Sequence, residues 1–256
     1  MSERHPRRDM SERNPLLETR GVTVRFGGNV ALANVDLDAW PGQVTGLIGP
    51  NGAGKTTLFN VICGLQRPDS GLVRIDGRDV TRLLPYKRAR AGLARTFQRL
   101  ELFTLLDVRS NIRVAADIER RHRRDRSIDP AKVADEIIER VGLDAVADAR
   151  VDQLPTGQAR LVEVGRALAS RPRVLLLDEP ASGQDESETA AFAHLLRDLA
   201  ADGLSIVLVE HDVRLVLEVS DEVCVLDFGE VLAVGTPAEI QSNQAVVAAY
   251  LGEGVS

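Results

Sequence analysis

The chain has 256 residues, 27% charged and 44% hydrophobic, with a formal net charge of −6 and a pI near 5.4. That length buries a substantial core, as one large domain or a domain with an inserted lobe, and the acidic balance argues against wholesale attraction to nucleic acid. No apolar run approaches the ~20 residues that cross a bilayer, and the two cysteines, Cys63 and Cys224, supply neither a disulfide framework nor a metal cluster, so a reducing, cytosolic setting is the default expectation.

Residues 1–15, MSERHPRRDMSERNP, lack the apolar segment of a secretion signal. A disordered tail is expected there, and the repeated MSER makes Met10 a second candidate start. LLETRGVTVRF, VALANVDLDAW and GLVRIDG then carry β-branched and apolar residues between glycine and proline breaks, so this third is expected to be strand-rich. From about Leu83 to Ala169 the texture turns helical, with Asp129-Pro130 as a cap followed by proline at a first helical position. The mixed charge run ERRHRRDR at 119–126 reads as a solvated helix end, since acids interrupt it and no aromatics interleave. RVLLLDEP and LSIVLVEHD suit buried parallel strands, with a helix between them. DEVCVLDFGEVLAVG reads as a final strand pair before a short C-terminal helix.

Two motifs carry the chemistry. Residues 49–57, GPNGAGKTT, satisfy G-x-x-x-x-G-K-[ST] through Gly49, Gly54, Lys55 and Thr56. The stretch Pro50, Asn51, Gly52, Ala53 lies between them, and Thr57 closes it. Glycines let backbone N–H groups turn inward as an anion nest. Lys55 reaches β and γ phosphates as a point charge, and the Thr56 hydroxyl is placed for Mg²⁺. An apolar strand before and a helix after set the phosphates at a helix N-terminus. The second motif is RVLLLDEP at 173–180, four apolar residues running into two carboxylates at a strand's C-terminal end. Ligands of open α/β sheets bind at that end. Asp178 would orient the Mg²⁺ shell and Glu179 would polarise a water for in-line attack on the γ phosphate. A pair of solvent-facing acids is the alternative reading of DEP taken alone.

With these and further motifs in the family's order, the chain resembles the nucleotide-binding subunits of ABC transporters over about residues 16–252. The resemblance implies an α/β P-loop NTPase fold with an N-terminal antiparallel β subdomain and a helical subdomain inserted at about 99–169. It implies ATP and Mg²⁺ as ligands. Gln98, in RTFQ, falls at the Q-loop position that contacts Mg²⁺ and senses the membrane partner, and Asp178 and Thr56 complete the metal set. His211, in VEHD, falls at the switch position holding the γ phosphate and attacking water. Ser182 and Asp185 lie in the D-loop ASGQD, and Phe26 matches the aromatic that stacks on adenine. Leu154, Pro155, Thr156, Gly157 and Gln158 occupy the signature that caps ATP held by a second subunit. His5, His122 and His194 show no partners by spacing, and Trp40 beside Pro41 reads as packing.

The departures are Pro155 and Thr156 for the signature's serine and second glycine, and Gln184 for the D-loop leucine. Proline offers neither hydroxyl nor amide N–H, although the following helix still presents its dipole end. Signatures of this kind, RTFQ and the ending AAYLGE are similar to the branched-chain amino acid uptake branch. The expectation is therefore an ATPase energising import of branched-chain or other amino acids. Its implied partners are integral-membrane permease subunits and a second ATP-binding subunit, as homodimer or heterodimer, at the cytoplasmic face of the membrane, with no nucleic acid. Related systems for urea or amide uptake or lipopolysaccharide export, and a soluble non-transport ABC ATPase, are the alternatives. A P-loop kinase has no use for LPTGQ followed by VLLLDEP and the histidine.

Overall fold

The computed structural model describes residues 14–251, so the tail expected over 1–15 lies, through residue 13 and including Met10, outside the described residues. The chain opens with β1 (Leu17–Phe26) and β2 (Asn29–Ala39), an antiparallel hairpin, and β3 (Val44–Ile48). Helix α1 (Lys55–Cys63) leaves the phosphate loop, followed by β4 (Ser70–Ile75), β5 (Arg78–Asp79), α2 (Pro85–Arg90) and β6 (Leu93–Arg95). Three long helices come next: α3 (Val108–Arg123), α4 (Pro130–Arg140) and α5 (Thr156–Ala169). The alternation β7 (Val174–Asp178), α6 (Glu186–Ala201), β8 (Ser205–Val209), α7 (Val213–Val219) and β9 (Glu222–Asp227) follows, then β10 (Glu230–Gly235), α8 (Pro237–Ser242) and α9 (Gln244–Val246), and a π-helical turn, Val247–Leu251, ends the described residues.

Two sheets form: β2-β1-β4-β5, all antiparallel, and β10-β9-β3-β8-β7-β6, parallel except for β10. Strand periodicity of two splits the apolar runs of the parallel sheet between two cores. Leu175, Leu177, Ile206, Leu208, Val223 and Val225 face one core, shared with Ile112, Val162, Leu196 and Val216 of the helices. Val174, Leu176, Val207, Val209, Cys224 and Leu226 face the other, shared with Leu58, Phe59 and Ile62 of α1 and with Val22, Val24 and Val73 of the antiparallel sheet. Both faces being buried is why these strands read as unbroken hydrophobic runs.

Side-chain caps start several of the helices. Asp107 accepts from Ser110 N at 2.6 Å, Asp129 precedes Pro130 and accepts from Ala131 N, and Asp185 forms a capping box with Glu188. The charge run at 119–126 covers the last turn of α3 and the three residues after it; Arg120 pairs with Asp117 and Arg123 with Glu119, and the cations of that turn suit the negative helix end. The end of α1 is closed differently. Arg88, 1% exposed, donates to the Val61 and Ile62 carbonyls at 2.6 and 2.7 Å, to Thr81 O at 2.8 Å and to Leu83 O at 3.1 Å.

Two expectations change. The segment expected to be helical from Leu83 contains β6, a three-residue edge strand paired in parallel with β7, too short to show periodicity. The single C-terminal helix is broken at Asn243, whose side chain accepts from Ala245 N and Val246 N and restarts the chain as α9. Among the described residues no helix is long and apolar enough to cross a membrane.

Candidate active site

Sheet order assembles the site. β3, β8 and β7 are neighbours running in parallel, so the loops after them emerge at one edge, bringing together residues 49–54, 210–211 and 178–179. The phosphate loop is a backbone cradle. A Cβ on Gly49, at φ +149°, would sit 2.0 Å from Leu226 O, and one on Gly54, at φ +108°, 2.7 Å from Leu32 Cδ2. Only glycine fits either place. Gly54 begins α1 with no side-chain cap, leaving first-turn N–H groups without a side-chain acceptor, and such a terminus fits a phosphate. Lys55 is buried, and its Nζ donates to Gly49 O and Pro50 O. Burial holds its pKa below the ordinary lysine value, opposed by Glu179 and Asp178. Asn51, Gly52 and Thr56 are exposed, Thr57 is partly exposed, and Ala53 is buried, its carbonyl accepting from Gly229 N at 3.0 Å.

Glu179 is the meeting point. His211 Nε2 stands 2.8 Å from Glu179 Oε1, and Gln98 Nε2 stands 3.2 Å from both Glu179 oxygens. The Glu179 main chain adopts φ +51°, unusual for a residue with a Cβ, and its N–H donates to Val209 O at 2.8 Å. Asp178, at the end of β7, is buried. A carboxylate, an imidazole and a carboxamide thus converge beside an anion nest, a set suited to holding a water against a bound phosphoryl group.

The remaining predicted residues lie farther out. Phe26 ends β1 and is 53% exposed, on the hairpin whose Ala31 and Leu32 pack against Gly54. Leu154, Pro155, Thr156, Gly157 and Gln158 form the entry to α5, with Pro155 at its uncapped N-terminus. Their neighbours are D-loop residues: a Cβ on Gly183 would meet Thr156 at 3.1 Å, and one on Gly157 would meet Gln184 Cγ at 3.1 Å. The segment carrying Pro155 and Thr156 therefore packs against the segment carrying Gln184. Ser182 is exposed, and Asp185 caps α6, where hydrogen bonds from Glu188 and Ser187 hold its carboxyl below the usual range.

Several contributors carry no sequence motif. Glu210 Oε1 accepts from Ala181 N at 2.6 Å and Oε2 from His211 N at 3.2 Å, tying the loop after β8 to the loop after β7, and burial pushes its pKa up. Arg160 of α5 donates to Phe97 O at 2.7 Å and to Gln98 O, clamping the Q-loop backbone onto the signature helix. Arg95 pairs with Asp178 at 2.7 Å. Glu210 lay inside the quoted VEHD and Arg95 inside RTFQ, but nothing in their spacing marks them.

Comparison with known proteins identifies the family. Residues 32–182 match the ABC transporter family model, and residues 230–256 match the model described as branched-chain amino acid ATP-binding cassette transporter. The chain is 38% identical over 254 residues to the high-affinity branched-chain amino acid transport ATP-binding protein BraF of Pseudomonas aeruginosa, covering 93% of this chain and 98% of that one. Among solved structures it resembles the ADP conformation of an ABC transporter ATP-binding cassette, with TM-score 0.81, 29% identity, and 93% and 99% of the two chains covered. It also resembles a dimeric post-hydrolysis cassette bound to ADP and phosphate, with TM-score 0.76, 27% identity, and 86% and 98% covered. The chain belongs to the ABC transporter family, as an ATP-binding subunit with the ABC ATPase fold.

Proposed function

We propose that this subunit hydrolyses MgATP to drive import of branched-chain amino acids or close analogues through membrane permeases, at the cytoplasmic face. The observation that carries the substrate class is the match of the C-terminal residues 230–256 to the branched-chain family model.

Gly49–Thr57 backbone groups and Lys55 hold the phosphates, with Pro50, Asn51, Gly52, Ala53 and Gly54 forming the cradle, and Phe26 stacks on the base. Thr56, Gln98 and Asp178 would hold Mg²⁺, which when bound would supply charge neutralisation for the phosphates. Glu179 takes a proton from the attacking water while His211 orients the water and the terminal phosphate. Leu154, Pro155, Thr156, Gly157 and Gln158, with Ser182 and Asp185, face the nucleotide of a second subunit. Lost contacts at Pro155 are replaced by the uncapped start of α5, whose dipole end suits an anion. The helices inserted at about 99–169 receive a permease helix. A groove of about 310 Å³ beside Gln98, lined by Leu65, Pro85, Leu93, Phe97 and Arg166, supports that placement.

Two measurements test the reading. Glu179→Gln should bind ATP yet accumulate as an ATP-dependent dimer in size-exclusion chromatography; a variant monomeric with and without ATP counts against it. Permeases that co-purify with the chain, reconstituted in vesicles, should couple ATP hydrolysis to uptake of leucine, isoleucine or valine. Stimulation by urea or lipopolysaccharide instead would reassign the substrate.

A further inference from the structure

Arg95 is buried against the active site without touching the phosphate cradle. Its side chain is 6% exposed and that of Asp178 is 5% exposed. Arg95 Nη2 donates to Asp178 Oδ2 at 2.7 Å and Nη1 to Asn60 Oδ1 at 2.7 Å. The guanidinium also lies against two rings, with its central carbon 5.3 Å from the Phe59 centroid and 4.9 Å from that of Phe97. The next residue acts on the same target: Thr96 Oγ1 accepts from Asp178 N at 3.2 Å. Two adjacent residues of the segment leading into Gln98 therefore grip Asp178 by its carboxylate and by its main chain.

A planar guanidinium fork held at both ends fixes the direction in which the Asp178 carboxylate points. The ion pair uses Oδ2 and leaves Oδ1 outside it. Groups that orient a metal-holding carboxylate commonly change metal affinity by about 10–100-fold when removed. Asn60 anchors the far end of the fork from the last turn of α1, the helix that begins at the phosphate loop.

We propose that Arg95 is a positioning residue for magnesium. By fixing the Asp178 carboxylate and joining it to the strand that leads into Gln98, it sets the metal dependence of nucleotide binding. This rests on the reading of Asp178 as a magnesium-orienting residue.

The experiment is calorimetric titration of the full chain with ATP, in EDTA and across a MgCl₂ series, for wild type, Arg95→Met, Arg95→Lys and Asn60→Ala. ATP affinity in EDTA should stay within about twofold of wild type, while the Mg²⁺ midpoint rises by about tenfold in Arg95→Met. Arg95→Lys, which keeps the charge and loses the fork, and Asn60→Ala, which frees one end of it, should fall in between. Should Arg95→Met fail to fold, Asn60→Ala carries the test, since it leaves the ion pair in place. Mg²⁺ midpoints unchanged in both Arg95→Met and Asn60→Ala overturn the proposal. So does an affinity loss that is equal with and without Mg²⁺, which marks a merely structural role. Wild-type protein whose ATP affinity ignores Mg²⁺ would instead sink the reading of Asp178 itself.

Discussion

His211 and Glu179, in the loops that follow different strands of the parallel sheet, stand 2.8 Å apart through Nε2 and Oε1. The contact places the imidazole over the carboxylate that would activate water, so the pair works as a unit. His211→Ala should lower kcat by about 10²-fold, the usual cost of deleting one aimed polar group. ATP affinity should change little, because the phosphate cradle is separate from it. Steady-state ATPase assays and nucleotide titration of the same variant check this; equal losses in both would point to collapse of the site.

Gln184 carries both polar atoms of its amide buried and without a hydrogen-bond partner among the described residues. Leaving such a group unpaired costs about 1 kcal/mol or more. Gln184→Leu should therefore stabilise the protein, raising Tm by about 2–4 °C at this chain length. Differential scanning calorimetry decides it, and a lower Tm would mean that the amide is satisfied in solution.

Arg88 donates to four main-chain carbonyls, two of them from the last turn of α1. Arg88→Met preserves much of the volume but leaves those acceptors buried without their donor. We expect a loss of about 3 kcal/mol or more, in the range seen when buried polar networks are broken. Urea unfolding provides the measurement, and a loss below about 1 kcal/mol would show that water replaces the guanidinium.

Cys224 lies in the core at 2% exposure, and burial pushes its thiol pKa up to about 12. The folded value lies above the unfolded one, so stability is fully present below the unfolded pKa and is lost as pH rises towards the folded pKa. The thiol ionises in the unfolded chain first, and stability should fall by about 1.4 kcal/mol per pH unit above about pH 9. Cys224→Ala should be less stable at pH 7 because of the cavity, yet show a flatter alkaline decline. Equal alkaline slopes in the two proteins would contradict the assignment.

The legible parts were those written in local spacing. GPNGAGKTT had to be a nest before a helix, because glycine, lysine and hydroxyl each answer one need of a triphosphate. The runs at 174–177 and 206–209 read as buried strands, because every residue in them is apolar. Asp129-Pro130 announced a helix start through the chemistry of caps. By contrast β6 is three residues long and owes its existence to pairing with β7, so local pattern could not reveal it. The break at Asn243 was equally hidden, since a competing side-chain cap is decided by local geometry rather than apolar periodicity.

By itself, the sequence determined the α/β class, a phosphate-binding loop and the ordered motifs through which the chain resembles its family. Tertiary structure alone decided which side chains touch. Strand order β8-β7-β6 brought His211 and Gln98 onto Glu179, the edge pairing of β6 carried Arg95 to Asp178, and the packing of α5 against the D-loop set Thr156 beside Gly183. Contacts such as these join residues far apart in the chain, and their geometry comes from register and from which face of each strand is buried. A linear pattern names the groups required for the chemistry, while the sheet fixes their distances.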